Sequence, residues 1–232
     1  MKRKRNNLLI IIGIIILLIL GGAFGAYKYI NRVKNVKLQG SDEELKISQE
    51  TQEKSEKENI ENILLLGVDK EENASDTIMV LSLDKDDNTA KLTSIMRDLN
   101  VDLGESNKVH KINYAYHYGG VEGSVSTLNK LFDLDINKYV KIDFEGLKNV
   151  IDYIGGIELG VTGEESRIIG LSKSGNVKLN GKQALEYSRI RKIDNDYYRT
   201  NRQRKVIMAI FNKAKSIEVT SYPKIISDLS SN

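Results

Sequence analysis

The sequence predicts an α/β domain, a mixed central β-sheet flanked by helices on both faces, preceded by one N-terminal transmembrane helix. Three observations carry this. A continuous apolar run at 60–69, IENILLLGVD, has the length and pattern of a strand buried on both faces. Downstream, stretches of strand character alternate with stretches of helical period, the order that builds a sheet with helices packed on it. Upstream, MKRKR at 1–5 precedes a charge-free apolar run at 8–26. About 20 apolar residues suffice to cross the hydrocarbon core.

From the N-terminus, residues 1–7 read as a cytoplasmic basic tail and 8–30 as the spanning helix. Basic residues ahead of the run place the N-terminus inside and everything after the span outside. A cleaved signal peptide is the alternative, since 21–26 is rich in small residues. The apolar stretch is longer than a usual signal core, which favours a retained anchor. Either way the body is extracytoplasmic, and a retained anchor makes this a single-pass membrane protein. Residues 31–59 are rich in Glu, Lys, Gln and Ser, without apolar periodicity, and read as a linker or loose helix. If flexible, such a tether reaches roughly 30 Å.

The globular domain is placed at 60–232. After the strand at 60–69 come strands at 77–83 and 89–96, joined by a polar turn at 86–88. A polar loop follows Arg97 and Asp98, then KINYAYHYGG at 111–120. Helix 121–133, strand 139–144, helix 145–154 and strand 156–161 continue the alternation. Residues 162–177, rich in glycine and serine, read as a mobile loop. Asn180 caps a helix holding 183–187, and a long helix follows.

Composition removes several chemistries. With no cysteine and two histidines, disulfides, thiolate metal sites and a histidine-rich zinc centre are excluded. His117, among Tyr114, Tyr116 and Tyr118, reads as a packed or rim histidine. A net charge of +3 is too small to argue for a nucleic-acid partner. Any metal would be a hard one held by carboxylates, Mg2+ or else Mn2+.

Arginine is concentrated. Of ten arginines five lie in EYSRIRKIDNDYYRTNRQR at 186–204: Arg189, Arg191, Arg199, Arg202 and Arg204. The planar guanidinium fork binds phosphate or carboxylate through two donors, which lysine cannot do. Arg199, Arg202 and Gln203 share a helix face at i, i+3, i+4. Val206, Ile207, Ile210, Phe211 and Ala214 supply an apolar stripe. A polyphosphate clamp is one reading, a solvated basic face the other. Asp69 closes the first strand, Asp76 opens the second, and Arg97 with Asp98 follows the third. Ligands of α/β sheets collect at such strand ends, although turn aspartates are also common there. Ile78, Val80, Val150, Ile154 and Ile157 read as core, with a lipid groove the alternative.

These residues resemble the LytR–CpsA–Psr family of Gram-positive cell-envelope assembly. The resemblance runs through LLLGVD at 64–69, SDT at 75–77, SIMRD at 94–98 and KINYAY...GG at 111–120. It continues through IDYIGGIEL at 151–159, GKQALEYSRIRK at 181–192 and DYYRTNRQ at 196–203. Membership implies a magnesium-dependent phosphotransferase. It would move a glycopolymer, such as teichoic acid or capsular polysaccharide, from a polyprenyl-pyrophosphate carrier to peptidoglycan, with the lipid tail in an apolar tunnel. By motif position, Asp69 and Asp76 correspond to metal-site acids. Arg97, Arg189, Arg191, Arg199 and Gln203 correspond to the pyrophosphate-binding set, to which the spacing adds Arg202, and Asp196 to a further acid and candidate base. Ala74 stands where the family usually has an arginine, and Met96 where it has proline. Family members commonly run on past the position of Asn232. A non-catalytic polyanion-binding module is the second reading, needing the arginines but not both acids. A DNA-binding regulator is the third, opposed by a basic cluster outside the cell.

Overall fold

The computed structural model describes residues 38–69, 71–103, 109–191, 193 and 195–216. The expected tail at 1–7 and span at 8–30 lie outside the described residues. Within them, no helix is long and apolar enough to cross a membrane. Two compact units divide the chain, with the boundary between Asp143 and Phe144.

The first unit holds the central sheet. Strands β1 (Ile60–Asp69), β2 (Ala74–Asp84), β3 (Thr89–Ile95) and β6 (Lys138–Asp143) lie in the order β3-β2-β1-β6. Strand β1 runs antiparallel to β2 and parallel to β6, so the sheet is mixed as predicted. Leu64, Leu66 and Val68 with Ile78 and Val80 form one face of a core that also takes Val125, Leu128 and Ile136. Ile63, Met79, Leu81 and Leu83 alternate with these in sequence and are buried too. Burial on both faces is why β1 reads as an unbroken apolar run. Each such side chain contributes about 1.5–3 kcal/mol. The turn after β2 is closed by Asp84, whose Oδ1 accepts from the backbone N–H groups of Asp86 (3.0 Å) and Asp87 (2.9 Å).

Two segments of this unit refine the expectation. Helix α1 (Gln49–Lys57) begins at Ser48, whose side chain accepts from Thr51 N–H. Leu45 is part of the core. Buried Asn129 donates to the carbonyls of Leu45 (2.9 Å) and Ile136 (3.0 Å). Of the two readings of this stretch, linker or helix, the helix is present, and residues 38–59 are anchored to the domain through Leu45 and Asn129; a few aperiodic apolar residues and one satisfied amide replace a continuous stripe. Helix α2 (Tyr114–Phe132) is two helical pieces: Gly120, at φ 62° and ψ −145°, separates an unpredicted short piece from the body, which begins at Val121 as expected. A side chain in place of Gly120 would be strained. Short strands β4 (Asn100–Asp102) and β5 (Val109–Lys111) pair ahead of it.

The second unit contains α3 (Phe144–Tyr153), β7 (Ile157–Val161), α4 (Gly163–Ile168), β8 (Gly175–Leu179), α5 (Gly181–Ser188) and α6 (Asp196–Ser216). Strands β7 and β8 pair antiparallel. Residues 162–177 are not a mobile loop. Thr162 and Glu165 form a reciprocal capping box that starts α4. Ser166 Oγ then donates to the carbonyls of Leu171 (3.2 Å) and Lys173 (2.6 Å). Asn180 caps α5 as expected, with Gln183 completing the box. Gly181 is required by close approach, since a Cβ there would lie 2.2 Å from the Lys148 carbonyl oxygen. The core gathers Ile151, Ile157, Leu179, Tyr187, Ile190 and Val206. On α6 the buried residues are Arg199, Arg202, Val206 and Ala209, one face at helical spacing. The apolar stripe of this helix is thus continued toward its N-terminus by two arginines.

Candidate active site

In the first unit the site begins with a register fault. Gly67 pairs with Thr77 and Val68 with Ser75, leaving Asp76 unopposed in a β-bulge. Bulges re-aim a side chain at the end of a ladder. The Asp76 carboxylate forms an ion pair with the Arg97 guanidinium, both side chains largely buried. Arg97 follows β3, and its carbonyl accepts from Asn113 N–H (3.2 Å) at the start of α2. Its Nε is buried without a hydrogen-bond partner and lies 3.9 Å from Asp98 Oδ2. Asp98 in turn holds Lys111 at 2.8 Å. The order Asp76, Arg97, Asp98, Lys111 is thus a chain of alternating charge. Asp69 ends β1 opposite Ala74, and its Oδ1 accepts from Glu71 N–H at 2.9 Å, closing the turn.

Asn113 is a site neighbour that sequence reading did not single out. It is nine-tenths buried, and its carbonyl accepts from Ser75 Oγ at 3.5 Å. Its side chain makes no capping bond to α2, and Oδ1 is buried without a partner. An asparagine just before a helix would ordinarily be spent as a cap; here it is not.

In the second unit the arginines separate into two kinds. Arg189 is the C-cap of α5 and is exposed, its guanidinium 4.4 Å above the centre of the Phe144 ring. Arg191 is exposed too, and buried Ile190 anchors the backbone between them. Arg199 and Arg202 are each only 3% exposed. Arg199 Nη2 lies 2.8 Å from Asp196 Oδ1, so the expected base is an ion-pair partner in the first turn of α6. Asp196 Oδ2 is buried without a hydrogen bond. Arg202 Nη1 lies 3.3 Å from Glu165 Oε1, and Nη2 donates to the Ile190 carbonyl at 2.9 Å. Arg202, expected in the phosphate-binding set, is thus buried and bonded to the backbone of the turn that carries Arg189 and Arg191. Gln203 is half-buried on α6, one turn after Arg199.

Among the described residues no group of three or more His, Cys, Asp or Glu side chains could hold a metal ion. Asp69 and Asp76 remain a two-carboxylate, hard-oxygen donor set. That fits magnesium, which binds through one or two carboxylates plus water and substrate phosphate oxygens.

The profile of the LytR_cpsA_psr family matches residues 28–232. The chain belongs to the LytR–CpsA–Psr family. Among relatives, the polyisoprenyl-teichoic acid–peptidoglycan teichoic acid transferase TagU of Bacillus cereus is 34% identical over 238 residues, 99% of this chain and 78% of the relative. Among solved structures, Bacillus subtilis TagV superposes with TM-score 0.64 at 34% identity, covering 75% of this chain and 72% of that one. The family protein YwtF (TagT) of Bacillus subtilis, with bound octaprenyl pyrophosphate lipid, gives 0.60 at 26% identity, covering 74% and 73%. Membership joins SDT at 75–77 and SIMRD at 94–98 to the bulge and ion pair described above. Ile78, Val80 and Ile157 sit in the two cores, as their apolar character predicted.

Proposed function

We propose that this protein is a membrane-anchored, extracytoplasmic phosphotransferase that moves a teichoic-acid-type glycopolymer from a polyprenyl-pyrophosphate carrier to peptidoglycan. The observation that carries the reading is Asp76, lifted out of register by a bulge and held against Arg97 in two of the family's motifs. A binding protein for polyanions needs arginines; it does not need a largely buried carboxylate paired to one of them. The names of the relatives and the lipid on TagT support the same substrates.

In the reaction, an acceptor sugar hydroxyl attacks the phosphorus that bears the glycopolymer. A phosphodiester to the acceptor forms, the bridging P–O bond breaks, and polyprenyl phosphate leaves. The hydroxyl proton passes to a carboxylate or to the leaving phosphate. Such a transition state asks for positioning and charge neutralisation more than covalent chemistry. The guanidinium of Arg97 and the exposed forks of Arg189 and Arg191 bind phosphate oxygens. Arg199, locked by Asp196, and Gln203 set the adjoining face of α6. Asp69 and Asp76 would hold magnesium, which when bound supplies Lewis-acid neutralisation of the phosphates.

Asp76→Asn tests this. The swap is nearly isosteric and keeps an acceptor for Arg97, so melting should change little. Turnover of a polyprenyl-pyrophosphate glycopolymer with magnesium should fall by at least about 100-fold. Wild-type turnover in this variant would favour the binding-module reading instead.

A further inference from the structure

Both histidines of the chain lie in one exposed aromatic cluster of the first unit. Tyr114, His117 and Tyr118 come from the first turn of α2, ahead of the Gly120 break, and His110 comes from β5. Ring centroids are 5.1 Å apart for His117 and Tyr118, 5.6 Å for His110 and Tyr118, 6.0 Å for Tyr114 and His117, and 6.1 Å for the two tyrosines. Tyr114 is 41% and Tyr118 47% exposed. An exposed, contiguous group of rings marks an interaction surface.

Its chemistry selects the ligand. The cation beside the rings in β5, Lys111, is paired with Asp98. A polyanion finds no fork here, in contrast to the turn holding Arg189 and Arg191. Among the described residues, the phenol hydroxyls and imidazole nitrogens of the four side chains make no hydrogen bond to protein; their recorded contacts are ring to ring. Apolar faces combined with unfilled donors and acceptors at the edges match a ligand with C–H faces and hydroxyl edges. The cluster is also tied to the candidate site within its own unit. Asn113 N–H donates to the Arg97 carbonyl at 3.2 Å and Ile112 N–H to that of Leu99 at 2.7 Å.

We infer that His110, Tyr114, His117 and Tyr118 form a saccharide-binding platform for the neutral sugar rings of the acceptor glycan. The assignment to the acceptor rests on the transferase reading; saccharide binding itself does not.

The test uses the full chain in detergent micelles and a β-1,4-linked N-acetylglucosamine tetramer, followed by calorimetry and saturation-transfer NMR. Replacing both tyrosines (Tyr114→Leu with Tyr118→Leu) should weaken tetramer binding by about tenfold or more, and Tyr118→Phe by roughly two- to threefold. Both changes are at exposed positions, and a melt checks that the fold is kept. Hydrolysis of the pyrophosphate donor by water should be unchanged in the double variant, while the KM for the glycan acceptor rises. Equal tetramer binding by wild type and double variant overturns the platform. So does absence of binding by the wild type. If no variant or wild type turns over donor while the tetramer binds as expected, the platform stands and the transferase reading fails.

Discussion

The arginines at the turn, Arg189 and Arg191, and those on α6, Arg199 and Arg202, are close in sequence and opposite in setting. The first two are exposed; the second two are as buried as the core valine that follows them. Buried charge is tolerated only when paired and hydrogen-bonded, and both buried arginines have a carboxylate, Asp196 or Glu165. An exposed arginine is free of that demand but must be positioned in some other way. For Arg189 the Phe144 ring does this, and for the turn as a whole Arg202 does it through the Ile190 carbonyl. Exposed charge at the turn is thus held in place in part by buried charge on α6.

The largest effect should come from breaking the brace. Arg202→Ala leaves Glu165 buried without its cation, and removing one partner of a buried pair costs about 3–5 kcal/mol. The melting temperature should fall by roughly 10 °C or more, with activity lost as the turn loosens. A thermal melt decides it; an unchanged midpoint would return Arg202 to the ligand-binding set.

A middle-sized effect is expected at the exposed side of the comparison. Arg189→Lys keeps the charge and loses both the fork and the stacked plane. Turnover should drop on the order of 10- to 100-fold, while melting stays within a degree or two, as surface changes usually do. Phe144→Leu should show a weaker version, about two- to fivefold, the worth of one cation–π contact. Steady-state kinetics beside a melt for each variant separates the two roles. A large fall in stability for Arg189→Lys would break the distinction.

Much of this was legible in the chain, and the failures have physical causes. Strand β1 could be read because burial on both faces leaves an unbroken apolar run. The α5 cap could be read because Asn180 and Gln183 are three residues apart. The same logic was available at Thr162–Glu165, where glycine and serine in the following residues masked a capping box. Arg199, Arg202, Val206 and Ala209 already share a face by spacing, so the burial of two arginines was within reach. What spacing could not supply was the partner: Glu165 lies 37 residues from Arg202 in sequence. The bulge at Asp76 was likewise invisible, since it is a property of two strands in register and not of either alone. Asn113 was passed over because the helical segment that follows it was not read in the sequence.

The smallest expected effect concerns a pair between the two extremes. Glu61, on β1, lies 2.9 Å from Lys85 and is also bound by Lys138 of β6. Burial raises the Glu61 carboxyl, but hydrogen bonds and charge from the two lysines outweigh it and hold it below the usual range. A carboxylate depressed in the folded state adds stability that is complete above its unfolded value. That stability is lost as pH falls through the folded one. Both lysines are about half exposed, so screening limits the contribution to roughly 0.5–1 kcal/mol. Glu61→Gln should therefore melt about 2–4 °C below wild type at neutral pH. The gap should close once the pH drops below the ordinary glutamate range, because wild type then loses what the variant never had. A gap that persists unchanged in acid would mean Glu61 acts through packing. A gap as large as that of Arg202→Ala would mean that exposure does not sort these charges as the arginines imply.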